Sequence, residues 1–156
     1  MKFNPLFIII SCQKENKNWA KISDICKKHQ HLIISGGLTN SNYLIYKDLL
    51  LINCDDKYEG LPEKILGLLL IVSLEERFKN ITHLVKIDSN NKFKSLNIIY
   101  KKLKSYYKNL DYFGQSLIQY QNIKPERDYH FGKVSKKSYW HNKEYKGEYC
   151  DWLDGG

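Results

Sequence analysis

Leu6 to Ser11 reads LFIIIS, an apolar run rich in isoleucine that turns polar only at its last residue. A short continuous run of this kind suits a strand covered on both faces, as in a parallel sheet. Working outward, Trp19, Ile22, Ile25 and Cys26 recur at helical spacing, which predicts a helix over about Asn18–His29. Leu32–Ile34 starts a second strand, and Ser35-Gly36-Gly37 is expected to break it, as glycine pairs do. Tyr43–Tyr46 suits a short edge strand. Leu49–Asn53 (LLLIN) is a buried strand that runs into the acidic turn Cys54-Asp55-Asp56.

Leu61–Phe78 is the longest predicted helix, with Pro62 near its start, where the missing N–H costs nothing. Thr82–Ile87 (THLVKI) is the next strand. Asp88-Ser89-Asn90 follows it, and Phe93–Leu103 is a second amphipathic helix. The alternation argues for an α/β fold with a mostly parallel sheet flanked by helices. After about Asn109 the periodicity is lost. Short strands are expected near Tyr112–Leu117 and Tyr129–Phe131, and the last fifteen residues read as loop. The 156 residues fit one domain, with residues 1–108 as one half and 109–156 as the start of another.

Composition narrows the function classes. Hydrophobic residues make up 42%, which supports a core and argues against wholesale disorder. The formal charge of +8 favours anionic partners. Among the 25 basic residues only Arg77 and Arg127 are arginines, so the charge is diffuse rather than built for bidentate phosphate or base reading. A solvated lysine-rich surface is the plainer explanation of the charge. The lysines between Lys86 and Lys108 raise a nucleic-acid module as an alternative, but they scatter around helix faces and no nucleic-acid motif accompanies them. Cys12, Cys26, Cys54 and Cys150 show no zinc-ligand spacing and lie in or beside apolar runs, so reduced thiols and a cytoplasmic setting are expected. Ile65–Leu74 is half the length of a bilayer span, and no membrane partner is expected.

Ligands of open α/β sheets bind at the carboxyl ends of the strands. Polar residues fall at those points: Ser11 and Cys12, then Asp55 and Asp56, then Asp88-Ser89-Asn90. A carboxylate, one spacer and a second oxygen ligand on a turn after a buried strand can hold Mg²⁺ or Mn²⁺ against substrate phosphates. The same tetrapeptide Asp-Ser-Asn-Asn also suits an ordinary turn.

Four blocks in order resemble the beta-1,3-galactosyltransferase and Fringe-like family (glycosyltransferase family 31). DLLLINCDDKYEGLPEKIL (Asp48–Leu66) is similar to the family's aspartate-led strand, acidic turn, tyrosine and Leu-x-x-Lys helix start. HLVKIDSNNKF (His83–Phe93) resembles its "lysine, apolar, Asp-x-Asp, aromatic" metal segment. YHFGK (Tyr129–Lys133) and CDWLDGG (Cys150–Gly156) complete the set, the latter like the start of a Gly-Gly-x-Gly-Tyr segment. The lysine and asparagine bias is similar to that of giant-virus relatives.

The resemblance implies a GT-A-like (Rossmann-like) nucleotide-sugar-binding fold. It implies transfer of a hexose from a UDP-sugar to an acceptor hydroxyl on a glycan or protein, with Mn²⁺ or Mg²⁺. By analogy Asp88 and Asn90 are the metal ligands, with Ser89 and Asn90 standing where the family has further aspartates. Loss of two negative charges lowers metal affinity. Donor binding falls to Ser11, Asp56, Lys64, Lys86, Asp88, Gly155 and Gly156. Lys64 is read either as facing the donor phosphates at a helix N-terminus or as a solvent-facing helix lysine. Asp55 and Asp56 are read either as nucleoside contacts or as caps of the turn. Lys86 either pairs with a carboxylate or lines the donor pocket. His130, Trp140 and Trp152 fall on the acceptor side, with packed aromatics as the other reading. The family's catalytic base lies beyond the Gly-Gly segment, so the chain reads as the donor-binding portion. A non-catalytic remnant that binds nucleotide weakly is the alternative, and no catalytic residue is assigned.

Overall fold

The computed structural model describes residues 2–90, 95–106, 108, 127–128 and 131–147, together with the backbone of 116–118 and 152–154. The chain divides into two units, Met1–Lys104 and Ser105–Gly156.

The first unit is a five-stranded sheet with helices on both faces. Its strands are β1 (Pro5–Ile10), β2 (His31–Gly37), β3 (Tyr43–Tyr46), β4 (Leu49–Asn53) and β5 (His83–Asp88), in the order β3-β4-β2-β1-β5. Only β3 runs antiparallel, paired to β4 at the edge. β1 is parallel to β2 on one side and to β5 on the other. From β1 the chain steps outward to β2 and β4, then returns across β1 to lay down β5. The order therefore reverses between β1 and β5, and ligands of open α/β sheets bind at such a reversal, outside the strands' carboxyl ends.

Every residue of β1 is buried, because each face has its own helical cover. Leu6, Ile8 and Ile10 pack with Leu32, Ile34, Leu50 and Ile52 against Leu68 and Ile71 of α2 (Leu61–Leu74) and Phe78. Phe7 and Ile9 point the other way, with Ile33 and Ile87, against Ile22 and Cys26 of α1 (Asn16–Cys26) and Leu96. Ile99 and Tyr100 of α3 (Asn97–Tyr106) extend that second layer. Each fully buried Leu, Ile or Phe contributes about 1.5–3 kcal/mol.

The first helix starts and stops two or three residues earlier than the sequence reading, at Asn16–Cys26, and three further boundaries differ. The Ser35-Gly36-Gly37 segment continues β2, with Gly36 opposite Ile52 and Gly37 opposite Asn53. Glycine serves close approach here: a Cβ on Gly36 would sit 2.9 Å from the Asp56 backbone, and Gly37 has φ +148°. The long helix stops at Leu74, because Glu75 is extended. A 3-10 turn at Glu76–Phe78 then swings Phe78 back into the core, which is why the apolar periodicity ran past the true end. Helix α3 begins at Asn97, where the Ser95 hydroxyl accepts the Asn97 N–H.

In the second unit β6 (Ser116–Ile118) pairs antiparallel with β7 (Trp152–Asp154), so part of the segment read as loop is strand. Of the strand expected at Tyr129–Phe131 only Phe131 lies among the described residues, and its N–H closes a turn on the Asp128 carbonyl at 2.7 Å. The Arg127 guanidinium donates to the carbonyls of Tyr145 and Gly147, 3.0 and 2.6 Å away. Among the described residues no helix is long and apolar enough to cross a membrane.

Candidate functional site at the carboxyl edge of the sheet

Two groups of polar side chains meet the carboxyl ends of the parallel strands. The first is built on Asp56, in the loop between β4 and α2. Its Oδ1 accepts the Gly36 N–H at 2.7 Å and the Lys64 ammonium at 2.8 Å. Its Oδ2 accepts the Gln13 N–H at 2.5 Å. The Ser35 hydroxyl lies 3.3 Å from Oδ1, and the Gln13 amide donates back to the Gly36 carbonyl at 3.1 Å. Lys64 also donates to the Ser11 carbonyl, at 3.0 Å. One carboxylate thus ties together the chain leaving β1, the end of β2 and the first turn of α2.

This group sorts the two readings of Lys64. Its side chain is 4% exposed, so it does not face solvent, and its named acceptors belong to the protein. A cation in the first turn of a helix opposes the helix dipole; here Asp56 supplies the compensating charge. Asp55, by contrast, is exposed and caps its own turn by accepting the Lys57 N–H at 3.0 Å. Gly60 is the N-cap of α2, and glycine is required there because any Cβ would lie 1.8 Å from the Asp55 carbonyl oxygen.

The second group lies where β1 and β5 adjoin. Ile10 is in register with Asp88, and the Ser89 N–H donates to the Ile10 carbonyl at 2.9 Å. Asp88 is the last residue of β5, about half exposed, and accepts the Lys86 ammonium at 2.7 Å. Asn90 is exposed in the turn beyond. Alternation along the strand sends Ser89 to the opposite face from Asp88. There its hydroxyl bonds the Glu15 carboxylate. The Ser11 hydroxyl reaches the same Glu15 oxygen at 3.0 Å and accepts the Trp19 indole N–H at 2.9 Å.

The structure therefore brings Ser11, Asp56 and Lys64 together, and separately Lys86 with Asp88. Trp140 belongs to the second unit, where it is 45% exposed and meets Tyr139 edge-on at 5.1 Å. His130, Gly155 and Gly156 lie outside the described residues, as does the side chain of Trp152. Sequence reasoning missed Glu15, although a signal was present. Glu15 is the only acid between Ser11 and Ser23, in the loop where the first strand meets its helix.

Among the described residues no three His, Cys, Asp or Glu side chains converge on one point. Asp88 and Asn90 offer one carboxylate and one amide oxygen, both exposed. That hard-oxygen set suits a Mg²⁺ or Mn²⁺ ion that takes its remaining ligands from water and substrate phosphates. Cys12, Cys26 and Cys54 are free thiols. Burial, with Asp48 nearby, pushes Cys26 up to about 11, so it stays protonated and inert.

No protein-family model, curated protein or solved structure matches the chain.

Proposed function

We propose that the first unit binds the nucleoside diphosphate of a UDP-sugar at the carboxyl edge of its sheet. On this reading the chain is the donor-binding part of a glycosyltransferase similar to the beta-1,3-galactosyltransferase and Fringe-like family. One observation carries the reading: Asp88 ends β5 in register with Ile10, beside the reversal of strand order, and stays half exposed.

Asp88 and Asn90 would hold a divalent cation there. When bound, such an ion neutralises charge on the diphosphate leaving group. Lys86 already lies 2.7 Å from Asp88 and adds a second positive charge beside the phosphates. The Asp56–Lys64 pair keeps the ends of β1, β2 and β4 in fixed relation, so the surface that receives the ligand is held before binding. In the second unit Trp140, packed on Tyr139, is the candidate for the acceptor's sugar face. His130 and Trp152 share that assignment through the family resemblance, as Gly155 and Gly156 do for the donor.

A calorimetric titration with UDP, with and without Mn²⁺, tests this. UDP is expected to bind in the presence of Mn²⁺, and Asp88→Ala to abolish that binding. Absence of UDP binding under both conditions overturns the reading, as does an Asp88→Ala chain that binds UDP like the parent. Steeply salt-dependent binding of random DNA without UDP affinity would instead identify a nucleic-acid module.

A further inference from the structure

Glu15 occupies the reversal point between β1 and β5, yet the diphosphate reading gives it no task. It is the N-cap residue of α1, at the end of a 3-10 turn that follows β1 (Gln13–Glu15). In many α/β proteins the corresponding helix N-terminus receives a phosphate. A carboxylate at this position repels one, so whatever meets Glu15 must donate hydrogen bonds.

The surrounding bonds fix the direction of donation. The Trp19 indole can only donate, so Ser11 Oγ accepts from it and directs its own proton to Glu15 Oε2. The Ser89 hydroxyl donates to that same oxygen. Each serine lies one residue past the end of one of two adjacent parallel strands, with its backbone N–H bonded to the neighbouring strand (Ser11 to the Ile34 carbonyl, Ser89 to that of Ile10), so the carboxylate is held from two anchored supports. Among the described residues every side-chain hydrogen bond of Glu15 falls on Oε2, which leaves Oε1 open, and the side chain is only partly buried.

Resting on the nucleotide reading above, we propose that Glu15 is the specificity-determining acceptor for the ribose hydroxyls of the bound nucleotide. A carboxylate with one oxygen anchored and one open accepts from a ribose hydroxyl and selects ribonucleotides over deoxyribonucleotides.

The experiment is a calorimetric titration of UDP and 2′-deoxy-UDP, with Mn²⁺, into the parent chain, Glu15→Gln and Glu15→Ala. Circular dichroism of each variant checks that it is folded. The parent is expected to prefer UDP by about tenfold or more, the scale of one charge-assisted hydrogen bond. Glu15→Ala should bind UDP no better than the deoxy form, and Glu15→Gln, whose amide oxygen still accepts but carries no charge, should keep a smaller preference than the parent, with affinity for the deoxy form unchanged in both. The proposal is overturned if the parent binds both nucleotides equally, or if Glu15→Ala keeps the parent's preference. Equal loss of both nucleotides in a folded variant makes Glu15 a structural residue and also overturns it. A parent chain that binds neither nucleotide fails at the earlier step, and both readings fall together.

Discussion

Asp56 and Asp88 both stand at the carboxyl ends of parallel strands, yet the fold uses them in opposite ways. Asp56 is 18% exposed and accepts two backbone N–H groups and a buried lysine. Asp88 is 52% exposed, and among the described residues its side chain meets only the exposed Lys86. The contrast separates a carboxylate that holds the loops from one that is held only by an exposed lysine. On the function proposed above, the well-bonded acid is the structural one and the exposed acid at the reversal of strand order is the one that meets the ligand.

The comparison breaks first at Lys64. Lys64→Met removes the cation from a buried pair and leaves Asp56 uncompensated, which is expected to cost about 3–5 kcal/mol in urea unfolding. A loss below about 1 kcal/mol would put Asp56 in the same class as Asp88. A third carboxylate, at the opposite edge of the sheet, sharpens the contrast. Asp48 accepts the Ser23 hydroxyl and, at 2.9 Å, the His31 ring. Burial pushes its carboxyl up, but the bonds from Ser23 and His31 together outweigh this, and the net position is below the usual carboxylate range. Its stabilisation is thus present above the ordinary aspartate pKa and lost as pH falls through the lower folded value. Asp48→Asn should cost about 1 kcal/mol near pH 7. The gap from the parent should close on acidification, as followed by thermal melting between neutral and acidic pH. The smallest effect on stability belongs to Asp88→Ala, within about 0.5 kcal/mol. That is the variant expected to lose Mn²⁺-dependent UDP binding altogether.

Particular residues show how far the sequence could be read. LFIIIS and LLLIN announced strands covered on both faces, because no polar residue interrupts them, and both proved to be strands within one residue. Gly36-Gly37 misled because a glycine pair marks either a turn or a close approach, and the neighbour that decides, Asp56, is far away in sequence. β7 was invisible because three residues carry too little periodicity and their partner lies near residue 117. At the candidate site, the strand-tip positions of Ser11, Asp56 and Asp88 followed from where the apolar runs end. The bond between Asp56 and Lys64 did not, since a turn and the start of a helix separate them. Glu15 escaped for a related reason: its partners, Ser11 and Ser89, lie just past the ends of two strands that meet only in the folded sheet.

The placement of β1 has a consequence during synthesis. Its six apolar residues are made early, and β2 can cover one flank as soon as residue 37 has emerged, but the other flank waits for His83–Asp88. Until then the growing chain carries an unsatisfied apolar edge of the kind that invites pairing with another molecule. The segment that ends this exposure is the one that carries Asp88. With that segment in place β1 is paired on both sides, and the open edge of the sheet passes to β5, the strand on which Asp88 stands.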